Sequence, residues 1–327
     1  MLLGNEEFAG QHAEPICPGG LRDASRAKGS GNGAGRPYRG CMHVGIEAFA
    51  AYGHVGVVEL ARAVEEAGLE SLFLVQYTHL TAGRRDLLER SGEEDILSPA
   101  ERAGIPDPFV ALGAAAAVTR RVNLGTGACY PAVYDPILLA QQAATLDQIS
   151  QGRFLFGVTA GWDDLLFRNH GIDPALRWQV MREKVLAVKE LWTRPEAEFH
   201  GRFADFAPVV RVRPFQSPHP PVLVGSHGAA GLRRVVEYGD EWFPWFPDLT
   251  TDLHLEEDMR KLGQLCAEAG REPARVTVVL GEPDEAVMER CAKAGVHRCT
   301  IALVPRHPAD ADSLLDRCAS LALRFQA

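Results

Sequence analysis

Several glycine-bearing segments combine residue types that suit a bound anion or a planar ring. Gly225-Ser226-His227-Gly228 offers a hydroxyl, an imidazole and two small residues just before a helical stretch that starts at Ala229. Exposed amides at a helix start favour an anion, so this segment suits a phosphate; the same residues also suit a plain N-cap using Ser226. Gly125-Thr126-Gly127-Ala128 closes an apolar run. Its glycines permit backbone shapes or close ligand approach that a side chain would block, or simply turn the chain. Gly157-Val158-Thr159-Ala160-Gly161 has the spacing of a nucleophile elbow with Thr in place of Ser. Trp162-Asp163-Asp164 follows it, and the order of acid and His that a hydrolase needs is missing. Tryptophans mostly pack in cores and rims, but Trp242 and Trp245, at the end of one apolar run, are also placed to border a planar group. No metal site is expected, because the 11 His and 7 Cys form no HExxH, CxxC or CxxH pattern.

These segments fall at the ends of short apolar runs that alternate with helical stretches. The runs cover 43–47, 71–77, 122–128, 153–159, 221–226, 241–246, 276–280 and 298–304, and the helical periodicity covers 54–68, 108–120, 136–150, 176–193, 229–238, 251–269, 284–294 and 309–323. Asp107-Pro108 and Asp135-Pro136 each pair an N-cap with Pro in the first turn, and Gly68 and Gly270 mark helix ends. Alternation of this kind predicts an α/β fold, a (β/α)8 TIM barrel over 42–327, with a doubly wound open sheet as the competing architecture. Insertions are expected after strand 2 (79–106), as a lid over substrate, and before strand 5 (194–220), as a hairpin. Residues 1–41 hold nine glycines and a single β-branched residue, Ile16, and read as a flexible leader, with Met42 the expected functional start.

Composition narrows the partners. The net charge is −9 and the pI about 5.7, without basic tracts, which excludes nucleic acid and anionic membrane as partners. No stretch approaches the roughly 20 apolar residues that span a bilayer. Scattered cysteines in odd number predict isolated thiols and a cytoplasmic setting.

Ordered motifs then carry a family. Asp107-Pro-Phe-Val-Ala-Leu, Leu124-Gly-Thr-Gly, Tyr134-Asp-Pro-Ile-Leu-Leu-Ala, the run from Thr145 to Val158, Asn169-His-Gly-Ile-Asp-Pro and Arg233-Arg-Val-Val-Glu-Tyr-Gly-Asp together resemble the luciferase-like oxidoreductases and monooxygenases. Within that superfamily the chain is most similar to the branch that depends on coenzyme F420, a deazaflavin. The resemblance implies a TIM barrel with the cofactor ring at its C-terminal face. It implies a non-prolyl cis peptide at Gly127–Ala128 forming a bulge that supports the ring, with Ala160 and Gly161 near the ring or its side chain. It also turns the segment from Gly225 to Ala229, with Ser226, His227 and Gly228, into the cofactor-phosphate loop. Relatives often dimerise, so a homodimer is the assembly it implies.

One departure bears on the chemistry. After strand 2 the F420-dependent branch usually reads Glu-His-Thr-His, where this chain reads Gln76-Tyr77-Thr78-His79. A phenol near neutral pH donates a proton but is a poor base, whereas an imidazole does both. The expected reaction is therefore hydride transfer from reduced deazaflavin to a small organic substrate, reducing a C=C or C=N bond. Tyr77 is then the proton donor and His79 orients the substrate, with Gln76, Trp162 and Trp245 at the rim. Two alternatives stand beside it: an FMN-dependent monooxygenase fed by a separate flavin reductase, and a non-catalytic flavin-binding relative.

Overall fold

The computed structural model describes residues 41–49, 55–79, 81, 104–210, 212–246, 254–304 and 308–325. Its strands and helices alternate from the start. Strand β1 (His43–Ala48) leads to α1 (Val57–Glu66), β2 (Ser71–Leu74), α2 (Pro108–Val118), β3 (Asn123–Thr126), α3 (Pro136–Ile149) and β4 (Phe154–Thr159). A short helix, α4 (Asp164–Asn169), precedes α5 (Arg177–Thr193) and an antiparallel hairpin of β5 (Glu196–His200) and β6 (Asp205–Val210). The chain continues through β7 (Val222–Gly225), α6 (Gly228–Tyr238), β8 (Glu241–Trp242), β9 (Trp245–Phe246), α7 (Leu255–Glu268), β10 (Arg275–Leu280), α8 (Glu285–Ala294), β11 (Arg298–Leu303) and α9 (Pro308–Phe325).

The sheet closes. Parallel neighbours run β1-β2-β3-β4-β7-β8-β10-β11, with β9 extending the β8 position along β10. The ring is completed where β11 pairs with β1, His43 opposite Arg298 through Ala48 opposite Leu303. A closed ring of eight parallel positions, each followed by helix, is a (β/α)8 barrel, and the open-sheet alternative falls.

Side-chain alternation builds two cores. Val44, Ile46 and Ala48 of β1 face outward and join Leu60, Leu112, Leu139, Val188 and Leu232 from the helices in the larger core. The inward positions are filled by Phe73, Leu155, Leu223, Phe243 and Val279, with Ala128 and Trp245 packed on them. The expected caps are made: Asp107 accepts from the Val110 amide, and Asp135 from the amides of Ile137 and Leu138.

Several expectations change. Strand 2 ends at Leu74, so Gln76 to His79 follow the sheet instead of extending it. The run 241–246 is split into β8 and β9, because Pro244 has no N–H for the ladder; its carbonyl still accepts from the Val279 amide at 3.0 Å. The hairpin stands within 194–220 as expected. The leader (apart from Cys41) and almost all of the 79–106 insertion, with its lid reading, lie outside the described residues. Five cysteines are buried free thiols, but Cys41, just ahead of β1, is disulfide-bonded, against the expectation that every thiol is isolated. Among the described residues no helix is long and apolar enough to cross a membrane.

Candidate functional site

The site is built on the C-terminal ends of the strands, and its floor is aromatic. Phe73 and Phe243 lie with ring centroids 5.2 Å apart. A Cβ on Gly125 would come within 2.3 Å of the Phe73 ring, so glycine at that position is what lets the ring fill the barrel interior. On this floor rests the end of β3, where Gly127–Ala128 is a cis peptide, at the position the family resemblance implies. The chain then rejoins β4: the Cys129 amide donates to Gly157 O at 2.8 Å and the Thr159 amide to Cys129 O at 2.9 Å.

Gln76 sets the next turn. Its side chain is buried, its Oε1 accepts from the Tyr130 amide at 2.7 Å and its Nε2 donates to the Tyr134 hydroxyl. The amide is thereby engaged in holding the loop after the bulge and does not stand on the rim. Lys184 clamps the same loop, donating to Ala132 O at 2.7 Å and Tyr134 O at 2.6 Å. Burial pushes the Tyr134 phenol far above its ordinary range, which keeps it a hydroxyl.

Tyr77 and His79 face different neighbours. Half-buried Tyr77 packs in an apolar group with Phe49, Val75, Ile105, Trp245, Ala302 and Val304, which brings it together with Trp245. His79 belongs to a polar chain: its Nε2 lies 2.9 Å from Asn169 Nδ2, its Nδ1 lies 3.0 Å from Thr78 Oγ1, and that hydroxyl lies 2.9 Å from His170 Nε2. An amide nitrogen only donates, so His79 Nε2 accepts, its Nδ1–H donates to Thr78 Oγ1, and the Thr78 hydroxyl donates to His170 Nε2. Burial, helped by the Lys184 charge, lowers the His170 pKa. Asn169 and His170, at the end of α4, were visible in sequence only as part of a family motif, because α4 is too short for its periodicity to stand out. Asp163 caps α4 and also accepts from Thr81 Oγ1 at 2.8 Å, while Trp162 beside it is exposed.

The loop after β7 separates the two readings of Ser226. The residue in the cap position of α6 is His227, which makes no side-chain cap bond, and Ser226 does not cap the helix. Instead the Ser226 hydroxyl is buried close to Gly231 with no hydrogen-bond partner among the described residues, and Gly228 takes φ +67° to start the helix. Trp242 sits behind this loop, fully buried, donating from Nε1 to Ser226 O at 2.8 Å, so it fixes the loop and borders no ligand. His227 meets Phe246 edge-on at 5.4 Å. Ala160 is buried, and Gly161 turns the chain at φ +64° against Tyr130 and Phe167. Since β4 lies between β3 and β7, the bulge and the Ser226 loop are two strand spacings apart, roughly 10 Å.

Sequence reasoning missed Glu47. This inward residue of β1 is only 5% exposed, and its carboxyl lies against Gly127, where an added Cβ would be 3.0 Å from Glu47 Cδ. Among the described residues its Oε2 has no hydrogen-bond partner, and burial pushes the carboxyl well above the usual carboxylate range. The signal was present in the strand alternation: with Val44, Ile46 and Ala48 facing the helices, Glu47 must face in. Among the described residues no three His, Cys, Asp or Glu are grouped to hold a metal.

Residues 54–297 match the model of a family described as luciferase-like monooxygenase. An uncharacterized protein of Mycobacterium tuberculosis is 33% identical over 285 residues, covering 85% of this chain and 98% of that protein. The oxygenase component of a flavin-dependent trigonelline monooxygenase from Acinetobacter baylyi is 32% identical over 161 residues, 48% of this chain and 43% of the other. Among solved structures, an F420-dependent secondary alcohol dehydrogenase in complex with an F420-acetone adduct shares the fold, with TM-score 0.64 at 16% identity, covering 86% of this chain and 98% of that one.

Proposed function

The chain belongs to the luciferase-like monooxygenase family, and we propose that it is an oxidoreductase that uses reduced coenzyme F420 to deliver hydride to a small organic substrate, reducing a C=C or C=N bond. The observation that carries the cofactor part of this reading, a phosphorylated flavin or deazaflavin, is the unpartnered Ser226 hydroxyl beside the uncapped start of α6, two strands from the bulge on the aromatic floor. Ser226 Oγ and the first-turn amides from Gly228 onward would hold the cofactor phosphate. Gly127, Ala128, Ala160 and Gly161 would take the ring, with Trp245 and Trp162 at its border.

A deazaflavin supplies hydride, and its carbon at ring position five, where a flavin has nitrogen, restricts it to that chemistry. The chain does the rest. As hydride reaches one atom of the substrate double bond, Tyr77 donates its phenolic proton to the other, and solvent reprotonates the phenolate. The apolar surroundings of Tyr77 limit competing water, and His79, fixed between Thr78 and Asn169, orients the substrate.

Two measurements test this reading. In anaerobic titrations the protein is expected to bind reduced coenzyme F420; tight binding of reduced FMN with none of coenzyme F420 would overturn it in favour of an FMN-dependent monooxygenase served by a separate reductase. The Acinetobacter relative, named as an oxygenase component, favours that second reading. In single-turnover reactions Tyr77→Phe is expected to slow reduction by about 10²-fold or more, the usual worth of a positioned acid. Full activity in that variant would remove Tyr77 from its role, and binding without turnover in the wild type would mark a non-catalytic flavin-binding relative, as the Gln76-Tyr77 departure allows.

A further inference from the structure

The buried acid under the bulge is used by nothing above. Glu47 of β1 brings its carboxyl against Gly127, where an added Cβ would stand 3.0 Å from Glu47 Cδ, so the acid packs against the cis peptide at which the proposed ring would sit. Buried polar atoms are nearly always paired, and an exception calls for an explanation. Here Oε2 has no partner in a side chain that is 5% exposed. Neither the aromatic floor nor the glycines around it offers a donor or acceptor side chain.

We propose that Glu47 is a ligand-binding residue of this site, whose Oε2–H donates a hydrogen bond to an acceptor atom, nitrogen or carbonyl oxygen, of a planar heteroaromatic ring bound at Gly127–Ala128. This rests on the reading of that bulge as the ring seat. The carboxyl can donate because desolvation keeps its proton on. Among the described residues no charged group opposes that burial, in contrast to acids buried as halves of ion pairs. The ring then supplies the partner that the protein leaves out. The acid is held at a cost to the ligand-free protein, since a buried unpaired polar group is destabilising.

The experiment compares the wild type, Glu47→Gln and Glu47→Met by titration with coenzyme F420 and with FMN, reading the ring absorbance, and by thermal melting without ligand. Gln keeps a neutral donor of the same size, whereas Met fills the volume and donates nothing. The expected pattern is affinity within about threefold of wild type and a retained shift of the ring spectrum for Glu47→Gln. For Glu47→Met it is an affinity loss of about tenfold, the worth of one hydrogen bond of about 1.4 kcal/mol, and loss of the spectral shift. Melting of the Met variant at or above wild type would show that the loss is not misfolding. Equal affinity in the Met variant overturns the proposal while leaving the cofactor reading intact, and so does an equal loss in both variants. A wild type that binds neither ring defeats the cofactor reading itself, and the proposal falls with it.

Discussion

The two ends of the barrel interior both bury acids, and they treat them in opposite ways. At the N-terminal end Arg298 is enclosed by partners: it donates to both oxygens of Glu70 at 2.6 and 2.9 Å, to Glu241 at 3.2 Å and to Thr277 at 2.9 Å. Thr277 in turn donates to Glu241 at 2.9 Å. Burial alone would raise Glu70, but the Arg298 guanidinium outweighs it and holds the carboxyl well below the ordinary range. At the C-terminal end Glu47 has no such partner, and burial acts unopposed. One end is closed electrostatically and serves the fold. The other is left incomplete, and an incomplete polar site inside a barrel is where a ligand completes the set.

The sharpest way to break this contrast is at Arg298. Arg298→Met leaves Glu70 and Glu241 without their counter-charge, and a loss of about 3–5 kcal/mol is expected in urea unfolding. A loss below 1 kcal/mol would mean that the N-terminal network is not what holds that end together. The next test uses pH. Glu47 has a raised folded pKa, so folding favours its protonated form; its contribution is fullest below the unfolded pKa of about 4.3 and is lost as pH rises toward the folded value. Stability of the wild type relative to Glu47→Gln should therefore fall with rising pH, by up to about 1.4 kcal/mol per unit. Glu70 works in the opposite sense, its contribution present above about pH 4.3 and lost as pH falls toward its depressed value. A flat difference between wild type and Glu47→Gln from about pH 5 to pH 8 would show that Glu47 is ionised and the two ends are alike. The smallest effect is expected at Ser226. Ser226→Ala removes a hydroxyl with no partner, so unfolding should shift by less than about 0.5 kcal/mol, while affinity for a phosphorylated flavin drops about tenfold. Riboflavin, which lacks the phosphate, should bind both forms equally; a matching loss there would sever Ser226 from the phosphate.

The same contrast explains what could be read before the structure. Runs such as 153–159 and 298–304 declared themselves because strands of a closed barrel are buried on both faces and hence mostly apolar. The Gly225-Ser226-His227-Gly228 loop was legible because small residues at a strand end facing a helix start have few roles. Gln76 was misleading: its position in a motif suggested the rim, yet its amide is buried against Tyr130 and Tyr134, a contact some 55 residues away along the chain that no local pattern encodes. The Asn169–His79 pairing is non-local in the same way. Glu47 was overlooked although the alternation of β1 marks it as inward, because it stood as the last residue of the run 43–47, where an acid reads as a strand end.

The aromatic floor also sets how molecules pass. With Phe73, Phe243, Leu155, Leu223 and Val279 packed across the interior below Ala128, a ligand seated on the bulge as proposed would enter and leave on the C-terminal side. In the proposed reaction, what has reacted would leave by the way the next molecule arrives, so a stable analogue of the product is expected to compete directly with the substrate.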